Sequence, residues 1–315
     1  MPEKIPVGIS ACLMGQEVRY NGGHKQSRLC LDHLVRVFEF VPYCPEVAIG
    51  MGVPREPIRL VGDPDHPRAI GIKTKDLDVT DQLDRYGVEV GEASQKLCGY
   101  ILMRDSPSCG LFSTKIYNEK GNYPGKHAGI FVRALKRTNP LLPLEEEGRL
   151  NDAVLRENFI ARVFAFHDWK ETVANVPSAE KIVKFHSRYK YMLMAHNQKA
   201  YRELGRMVAD AGLIEAHHLA DDYLHQFMAT IAKPATRKGH ANTLYHLVGY
   251  LKQNVPSHIR QELTASIEDY RNGIVNLAVP VTLINHYLKL HGSEYIQGQA
   301  YLNPYARDLG LRNAI

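Results

Sequence analysis

Three of the five cysteines in this chain occupy similar positions, each in a loop that follows a short apolar run. Pro, Gly or Ser residues lie near each of them, as in tight turns. Short apolar runs that alternate with helical stretches predict a parallel sheet, and the strands of such a sheet all end at one edge. We therefore expect the three thiols to meet at that edge. The cysteines are Cys12, Cys44 and Cys109, and the runs before them cover residues 7–11, 37–41 and 100–103.

Three thiolates suit an iron–sulfur cluster better than a structural zinc ion. Structural zinc sites close with four protein ligands, whereas three cysteines can hold a 4Fe-4S cluster by three irons and leave the fourth open to a substrate. The alternative is that the thiols are small buried side chains, the commonest role of free cysteine. Three cysteines in similar loops favour the cluster. By the same test we predict that Cys30 and Cys98, each inside a helical pattern, are structural.

The composition is that of a soluble globular protein, which we expect to lie in the cytoplasm. The chain has 315 residues, which favours two domains, and no apolar run approaches the ~20 residues of a membrane span. Its first residues lack a secretory signal, so we expect a reducing compartment where an odd number of cysteines serves metal binding or catalysis. Lys and Arg number 20 against 19 Asp and Glu in residues 1–150, and 19 against 15 in residues 151–315. The excess of positive charge in residues 151–315 permits a polyanionic partner.

The pattern along the chain predicts an α/β domain with a Rossmann-like parallel sheet, followed by an all-α domain. A Pro- and Gly-rich stretch at 138–148 marks the break, so that the domains cover residues 1–150 and 151–315. In the first domain, further strands are expected at 69–72 and 129–132, and helices at 29–38 and 79–97. In the second domain, helices are expected at 151–166, from 178 onward, and at 214–231, 238–253 and 257–272.

The segments around the three cysteines resemble the signature of the thiouracil desulfidase family over about residues 5–150. They read SACLMG with VRYNGG, CPE and SPSCG, in that order. The resemblance implies a 4Fe-4S cluster held by Cys12, Cys44 and Cys109, and removal of sulfur from a thiocarbonyl without net oxidation or reduction. It also implies that Glu46, in the CPE segment, is the acid/base residue.

Glu46 lies two residues after a candidate ligand, where a carboxylate could deprotonate water or protonate the substrate; an ordinary exposed carboxylate is the alternative. Ser106 and Asp105 are further catalytic candidates, although residues of these types often cap loops. Arg104 and Asp105 stand where a Lys-x-Asn-like segment is expected in stand-alone desulfidases, which implies different substrate contacts. The substrate-binding candidates are Ser10, Arg19, Tyr20, Asn21 and Ser108, with a surface turn as the alternative for Arg19 and Tyr20.

Basic and aromatic residues interleave in a predicted helical region at 181–206, and a second basic cluster lies at 233–240. Such mixtures suit RNA, because cations contact phosphates and planar groups stack on bases. An amphipathic helix with buried aromatic residues and solvated cations is the alternative. The RNA-binding candidates are Lys184, Arg188, Lys190, Lys199, Arg202, Arg237 and Lys238.

This half also resembles a helical domain that is fused to desulfidases acting on 4-thiouridine in tRNA, at residues 186–205, 238–252 and 301–304. The resulting hypothesis is a cytoplasmic enzyme that converts 4-thiouridine in tRNA to uridine and releases sulfide, with tRNA as its partner. Two alternatives stay open. One is the same chemistry on free thiouracil or thiouridine nucleotides, and the other is a non-catalytic RNA-binding protein whose metal site is structural.

Overall fold

The computed structural model describes residues 3–118, 121–125, 127–306 and 309–315. The chain divides into two compact units, Met1–Asn151 and Asp152–Ile315. The N-terminal unit is an α/β domain built on a parallel sheet, and the C-terminal unit is helical, so the predicted fold class is confirmed.

A four-stranded parallel sheet forms the centre of the N-terminal unit, with the strand order β2-β1-β5-β8. A second sheet has the order β4-β3-β6-β7, in which β3 is antiparallel to β4 and parallel to β6. Because all strands of the first sheet run in one direction, the loops after them lie at one edge. The strands are β1 (Ile5–Ser10), β2 (Phe38–Tyr43), β3 (Ile58–Gly62), β4 (Pro67–Gly71), β5 (Tyr100–Leu102), β6 (Ile116–Asn118), β7 (Gly121–Asn122) and β8 (Leu144–Glu146).

The helices of this unit are α1 (Pro45–Ala48), α2 (Thr80–Ala93) and α3 (Ile130–Thr138). Helices α2 and α3 pack closely because Gly87 has no side chain: a Cβ there would lie 2.6 Å from the Cβ of Ala134. The central strands are buried on both faces, as in other parallel sheets covered by helices, and Val7 and Ile101 are fully buried. This packing makes the sheet a rigid support for the loops at its edge.

One sequence prediction for this unit is wrong. Residues 129–132, predicted as a strand, begin α3, because a short apolar run does not distinguish a strand from a buried helix. The stretch 138–148, where the sequence predicts the domain break, contains β8 and is followed by the boundary between the two units after Asn151.

Two further predictions need smaller corrections. The helix expected at 29–38 is a π-helix at Leu29–His33 and a 3-10 helix at Leu34–Arg36, after which the chain enters β2. Cys98 lies in a bend before β5 and not in a helix, although Cys98 and Cys30 are both buried. The expected strand at 69–72 is confirmed as β4.

The C-terminal unit consists of helices packed around aromatic and aliphatic side chains. Polar side chains cap helix N-termini: Asp152 accepts a hydrogen bond from the Leu155 amide, and Ser178 from the Lys181 amide. None of the helices in the described residues combines the length and apolar character needed to cross a membrane. The helices are α4 (Ala153–Trp169), α5 (Ala179–His196), α6 (Gln198–Ala209), α7 (Ala216–Ile231), α8 (Arg237–Gly249), α9 (Ser257–Arg271), α10 (Ala278–His291) and α11 (Glu294–Gln297).

Candidate active site

The three cysteines singled out by the sequence line one pocket of about 650 Å³ in the N-terminal unit. Cys12 follows β1 in a short 3-10 helix, Cys44 follows β2 directly, and Cys109 lies in the loop after β5. Strands β2, β1 and β5 are neighbours in the parallel sheet, which is why residues distant in sequence meet. Glu46, from the first turn of α1, lines the same pocket.

Burial controls the charge state of these thiols. It raises the pKa of Cys12 to about 11, raises that of Cys44, and raises that of Cys109 well above its usual range. Each thiolate would also repel its neighbours: Cys44 raises the pKa of Cys12 further, and both raise that of Cys109. The site therefore favours neutral thiols unless a positive group lies among them.

An iron–sulfur cluster supplies such positive centres, and cysteine sulfur is the donor that holds it. The three sulfurs at one pocket, those of Cys12 and Cys109 buried and that of Cys44 partly buried, thus fit this group by their chemistry. Within the described parts of the chain, no group of three or more His, Cys, Asp or Glu side chains is close enough to hold a single metal ion. In a cluster each cysteine binds an iron of its own, so the sulfurs need not share one ion.

Glu46 is held at both carboxylate oxygens. Its Oε2 accepts a hydrogen bond from Arg55 Nε at 2.8 Å, and its Oε1 accepts one from Ser108 Oγ at 2.7 Å. The ion pair is largely buried, with 5% of the Arg55 side chain and 14% of the Glu46 side chain exposed. Arg55 Nη1 also donates to the Val18 carbonyl oxygen at 2.9 Å. The carboxylate therefore has a fixed direction in the pocket.

Sequence reasoning missed Arg55, which lies nine residues after Glu46. The one available signal was its place at the end of a Gly- and Pro-rich turn that follows CPE. An arginine on its own gives no indication of which carboxylate it pairs with, so this contact depends on the fold.

Serine hydroxyls position the loop that carries Cys109. Ser106 Oγ accepts hydrogen bonds from the amides of Cys109, at 3.0 Å, and Ser108, at 3.3 Å. Ser10 Oγ accepts one from the Met103 amide at 3.0 Å and also hydrogen-bonds the Cys109 thiol. Ser10 and Ser106 line the pocket, and the fully buried Ser108 lies behind it against Glu46.

Glu146, at the end of β8, fixes the chain just beyond Cys109. Its Oε1 accepts hydrogen bonds from three consecutive amides, those of Leu111, Phe112 and Ser113, at 2.8, 2.9 and 3.0 Å. Sequence reasoning missed this residue because it lies in a stretch that was interpreted as a break.

Arg19 and Tyr20 line the pocket at its mouth, as the substrate-binding prediction requires. Arg19 Nη1 lies 3.9 Å from the Met103 sulfur, and Tyr20 is 43% exposed. Asn21 does not line the pocket; its Oδ1 accepts a hydrogen bond from the Gly23 amide at 3.2 Å and stabilises the turn.

Asp105 also lines the pocket, but its carboxylate pairs with Arg104 Nε at 2.8 Å. Both side chains are more than half exposed. Its backbone has a φ of +56°, a left-handed conformation that is uncommon for residues other than glycine. The geometry thus places the predicted catalytic Asp105 at the mouth of the pocket, away from the Glu46 network.

In the C-terminal unit, the basic and aromatic residues of α5 separate onto different faces. Phe185 and Tyr189 are buried and stack on each other with ring centroids 4.4 Å apart, and Phe185 also contacts Trp169 at 4.9 Å. These rings form the core and have no free face for a base. The periodicity of an amphipathic helix explains them, which was the alternative to RNA stacking.

The predicted RNA-binding cations fall into two sets. Four of them contact other side chains or a backbone carbonyl, and the other three make no such contact in the part of the chain that the structure describes. Arg188 pairs with Asp168 at 3.3 Å, Lys199 pairs with Glu203 at 3.7 Å, Lys190 lies 4.8 Å from the Tyr295 ring centroid, and Arg237 Nη1 donates to the Tyr270 carbonyl at 2.8 Å. The three without such a contact are Lys184, Arg202 and Lys238, which are exposed, as Arg188, Lys199 and Arg237 also are.

Family models match two parts of the chain. Residues 7–147 match the 2-thiouracil desulfurase family, and residues 190–306 match a family described as a protein of unknown function, DUF1722. The chain is 32% identical over 153 residues to YbbK of Bacillus subtilis strain 168, covering 46% of this chain and 97% of YbbK. It is 33% identical over 162 residues to YbgA of Escherichia coli strain K12, covering 50% of this chain and 94% of YbgA.

The chain belongs to the 2-thiouracil desulfurase family. A solved structure, the 4Fe-4S-dependent thiouracil desulfidase TudS, is 32% identical and covers 47% of this chain and 94% of its own, with a TM-score of 0.38. The family predicted from the cysteine segments is confirmed. The specific assignment to tRNA stays a prediction.

Proposed function

We propose that this chain is a cytoplasmic, 4Fe-4S-dependent, non-redox desulfidase that converts 4-thiouridine in tRNA to uridine and releases sulfide. The observation that carries the proposal is the convergence of Cys12, Cys44, Cys109 and Glu46 on one pocket. Membership of the 2-thiouracil desulfurase family supports the same chemistry.

Cys12, Cys44 and Cys109 would hold the cluster. When bound, it supplies a Lewis acid that accepts the soft sulfur of a thiocarbonyl. The reaction is balanced without an oxidant or reductant, because the C=S bond and one water become a C=O bond and hydrogen sulfide. The protein must therefore place water and move its protons.

Glu46 is the residue suited to that task. Its carboxylate accepts one hydrogen bond at each oxygen, from Ser108 and from Arg55, so each oxygen keeps a lone pair that can accept a proton from water. The same group can then return the proton to the leaving sulfur or to a ring nitrogen. Arg55 and Ser108 contribute by fixing the direction of the carboxylate.

The pocket and its mouth are compatible with a thiolated pyrimidine in a polynucleotide. A volume of about 650 Å³ lies within the range of small-molecule sites. At the mouth, Tyr20 offers an exposed ring for stacking and Arg19 a cation for a phosphate. In the C-terminal unit, the exposed Lys184, Arg202 and Lys238 are the candidates for further phosphate contacts.

A second candidate is the same reaction on free thiouracil or a thiouridine nucleotide. One observation favours it: Phe185 and Tyr189, which would have stacked on RNA bases, are buried in the core of the C-terminal unit. In that case the C-terminal unit serves another purpose than RNA recognition.

The test compares substrates on the reconstituted full chain. Wild type and Glu46→Gln are purified anaerobically, loaded with iron and sulfide, and given tRNA that contains 4-thiouridine, free 4-thiouridine or free thiouracil. We expect sulfide release and loss of the thiouridine absorbance from tRNA with wild type alone. Release from the free compounds but not from tRNA would replace the first candidate by the second. A loaded protein that desulfurises none of them would contradict both and favour a structural metal site.

A further inference from the structure

A groove along α6 lies in the C-terminal unit, and none of its lining residues lines the cysteine pocket. It encloses about 850 Å³ between side chains of α6 and the ring of His186, which belongs to α5. His186 is the unusual member of this lining, because only 8% of it is exposed. Buried polar groups normally have hydrogen-bond partners, so the partners of this ring decide what the groove can bind.

One nitrogen of His186 is paired inside the unit, and the other is not. Nδ1 lies 3.1 Å from the hydroxyl of the fully buried Tyr223. This hydroxyl has no other acceptor among the described residues, so it donates to Nδ1, and the hydrogen of the neutral ring is on Nε2. Burial lowers the pKa of His186 to about 4, which keeps the ring neutral at pH 7. Nε2 is therefore a hydrogen-bond donor without a partner in the described part of the chain.

Gly205 of α6 leaves this nitrogen uncovered. A Cβ at position 205 would lie 3.9 Å from Nε2, an ordinary van der Waals distance. Apart from its chain neighbours and the backbone of its own helix, it would meet no other atom within 4 Å. Packing thus does not require glycine here, although glycine inside a helix is less stable than alanine. The glycine is explained if a ligand must reach the imidazole.

The side chains around Nε2 give the groove a positive charge. Arg202 and Arg206 are one turn apart on α6, on either side of Gly205 in sequence, and both line the groove. Both are exposed, and neither side chain has a partner among the described residues. Glu203, the acidic residue of the lining, lies 3.7 Å from Lys199. A ring N–H donor beside two guanidinium groups suits the oxygens of a phosphate.

We propose that His186, Arg202 and Arg206 bind the phosphate group of a nucleotide in this groove. The nucleotide is either a free one or part of an RNA chain, because both present the same oxygens. The volume of the groove lies in the range of small-molecule sites, so a ribose and a base have room beside the phosphate. That the phosphate belongs to a nucleotide rests on the proposed function, whose substrate is RNA. The binding itself involves no sulfur transfer.

The test measures the affinity of the full chain for two ligands that are not substrates of the proposed reaction. Calorimetry measures the binding of adenosine 5′-monophosphate, and fluorescence anisotropy measures that of labelled tRNA without 4-thiouridine. Gly205→Ala should weaken the binding of one or both about tenfold or more, because the added methyl group covers Nε2. The matched control is Gly249→Ala in α8, where a Cβ also meets nothing within 4 Å. Its affinities should equal those of wild type.

The two ligands distinguish the sources of the phosphate. Weaker binding of adenosine 5′-monophosphate by Gly205→Ala would identify a site for a free nucleotide, and weaker binding of tRNA alone would assign the phosphate to the RNA chain. Equal affinities of Gly205→Ala and wild type for both ligands, or no binding of either by wild type, would overturn the inference. Adenosine, which lacks the phosphate, is the ligand control, and its binding as tightly as the monophosphate would also overturn it.

Two further measurements keep the test decisive. Thermal unfolding of Gly205→Ala should require at least the temperature of wild type, because alanine favours the helix, so that lost binding is not lost folding. Arg206→Gln removes a charge without covering the imidazole and should also weaken binding; wild-type affinity in this variant would contradict the proposal even where Gly205→Ala does not fold. A chain that shows the expected affinities but desulfurises nothing would overturn the proposed function alone, whereas an active desulfidase with equal affinities would overturn this inference alone.

Discussion

The imidazoles of the C-terminal unit and the three cysteine thiols of the N-terminal pocket lie in different surroundings. In the C-terminal unit, the buried imidazoles have partners: His186 Nδ1 lies 3.1 Å from the Tyr223 hydroxyl, and His240 Nδ1 lies 2.9 Å from the Tyr301 hydroxyl. In the N-terminal unit, the thiols of Cys12, Cys44 and Cys109 line a pocket. Paired polar groups stabilise a core, whereas buried polar groups that face a cavity indicate a ligand.

Burial shifts the pKa values of both the thiols and the imidazoles. Burial raises the pKa of the Cys12 thiol to about 11 and lowers the pKa of the His186 imidazole to about 4, because it disfavours the charged form of each. The imidazoles stay neutral in a core that already supplies a hydrogen-bond partner for each Nδ1. The thiols become useful ligands once a positive group enters the pocket.

The largest expected effect separates ligating from structural thiols. Replacing Cys12, Cys44 or Cys109 by Ala should abolish cluster binding and desulfurisation, because two sulfurs hold a cluster poorly. The matched control is Cys30→Ala: this thiol is also buried, with a pKa raised by burial to about 11, but it does not line the pocket. The iron and sulfide content of each variant after reconstitution shows whether it binds the cluster. Full loading of any pocket variant, or loss of loading in the control, would contradict the comparison.

Next in size is the effect of Glu46. Glu46→Gln keeps the shape of the side chain and removes its proton acceptor, so kcat/KM should fall about 100- to 10,000-fold with unchanged cluster content. Arg55→Lys should have a smaller effect, because one ammonium cannot contact both Glu46 and the Val18 carbonyl as Arg55 does. Measuring kcat/KM on cluster-loaded protein checks the expected effect of each of the two variants. An unchanged rate for Glu46→Gln would remove it from the mechanism.

The C-terminal unit should lose stability in acid. The folded pKa of His186, about 4, lies below its ordinary value of 6.5, so the stability from keeping it neutral is complete above pH 6.5 and is lost as the pH falls towards 4. The loss is about 3 kcal/mol. His186→Gln, which keeps a polar partner for Tyr223, should reduce this pH dependence.

Fluorescence can follow this unit by itself. Trp169 is the single tryptophan, lies in α4 and stacks on Tyr223 with centroids 5.5 Å apart. Urea unfolding at pH 7.5 and 4.5, monitored by tryptophan fluorescence, compares wild type with His186→Gln. The same pH dependence in both proteins would contradict the assignment to His186.

The smallest effects concern RNA. Removing Lys184, Arg202 or Lys238 should weaken tRNA binding and reduce the slope of log affinity against log salt by about 0.7 to 0.9 for each lost phosphate contact. Arg237→Ala should change the slope less, because this guanidinium already donates to the Tyr270 carbonyl and lies 4.8 Å from its ring centroid. Salt titrations of tRNA binding measure the slopes. Equal slopes for all four variants and wild type would exclude these cations from the interface.

The sequence predicted those features of the fold and the site that depend on local residue patterns. Cysteines after apolar runs indicated thiols at one sheet edge, and the spacing of Phe185 and Tyr189 was already that of a buried helix face. It did not predict Arg55 or Glu146, because their partners are chosen by the fold and leave no periodic signal. The run at 129–132 failed because its apolar residues suit both a strand and the buried start of α3.

The central claim is that three cysteines hold a cluster with one iron free for the substrate. The most direct test is Mössbauer spectroscopy of the anaerobically loaded wild type, before and after addition of tRNA that contains 4-thiouridine. We predict that the signal of one iron in four changes, because cysteine sulfur occupies the other three. A spectrum that neither this tRNA nor free thiouracil changes, or the absence of a 4Fe-4S signal, would contradict the account.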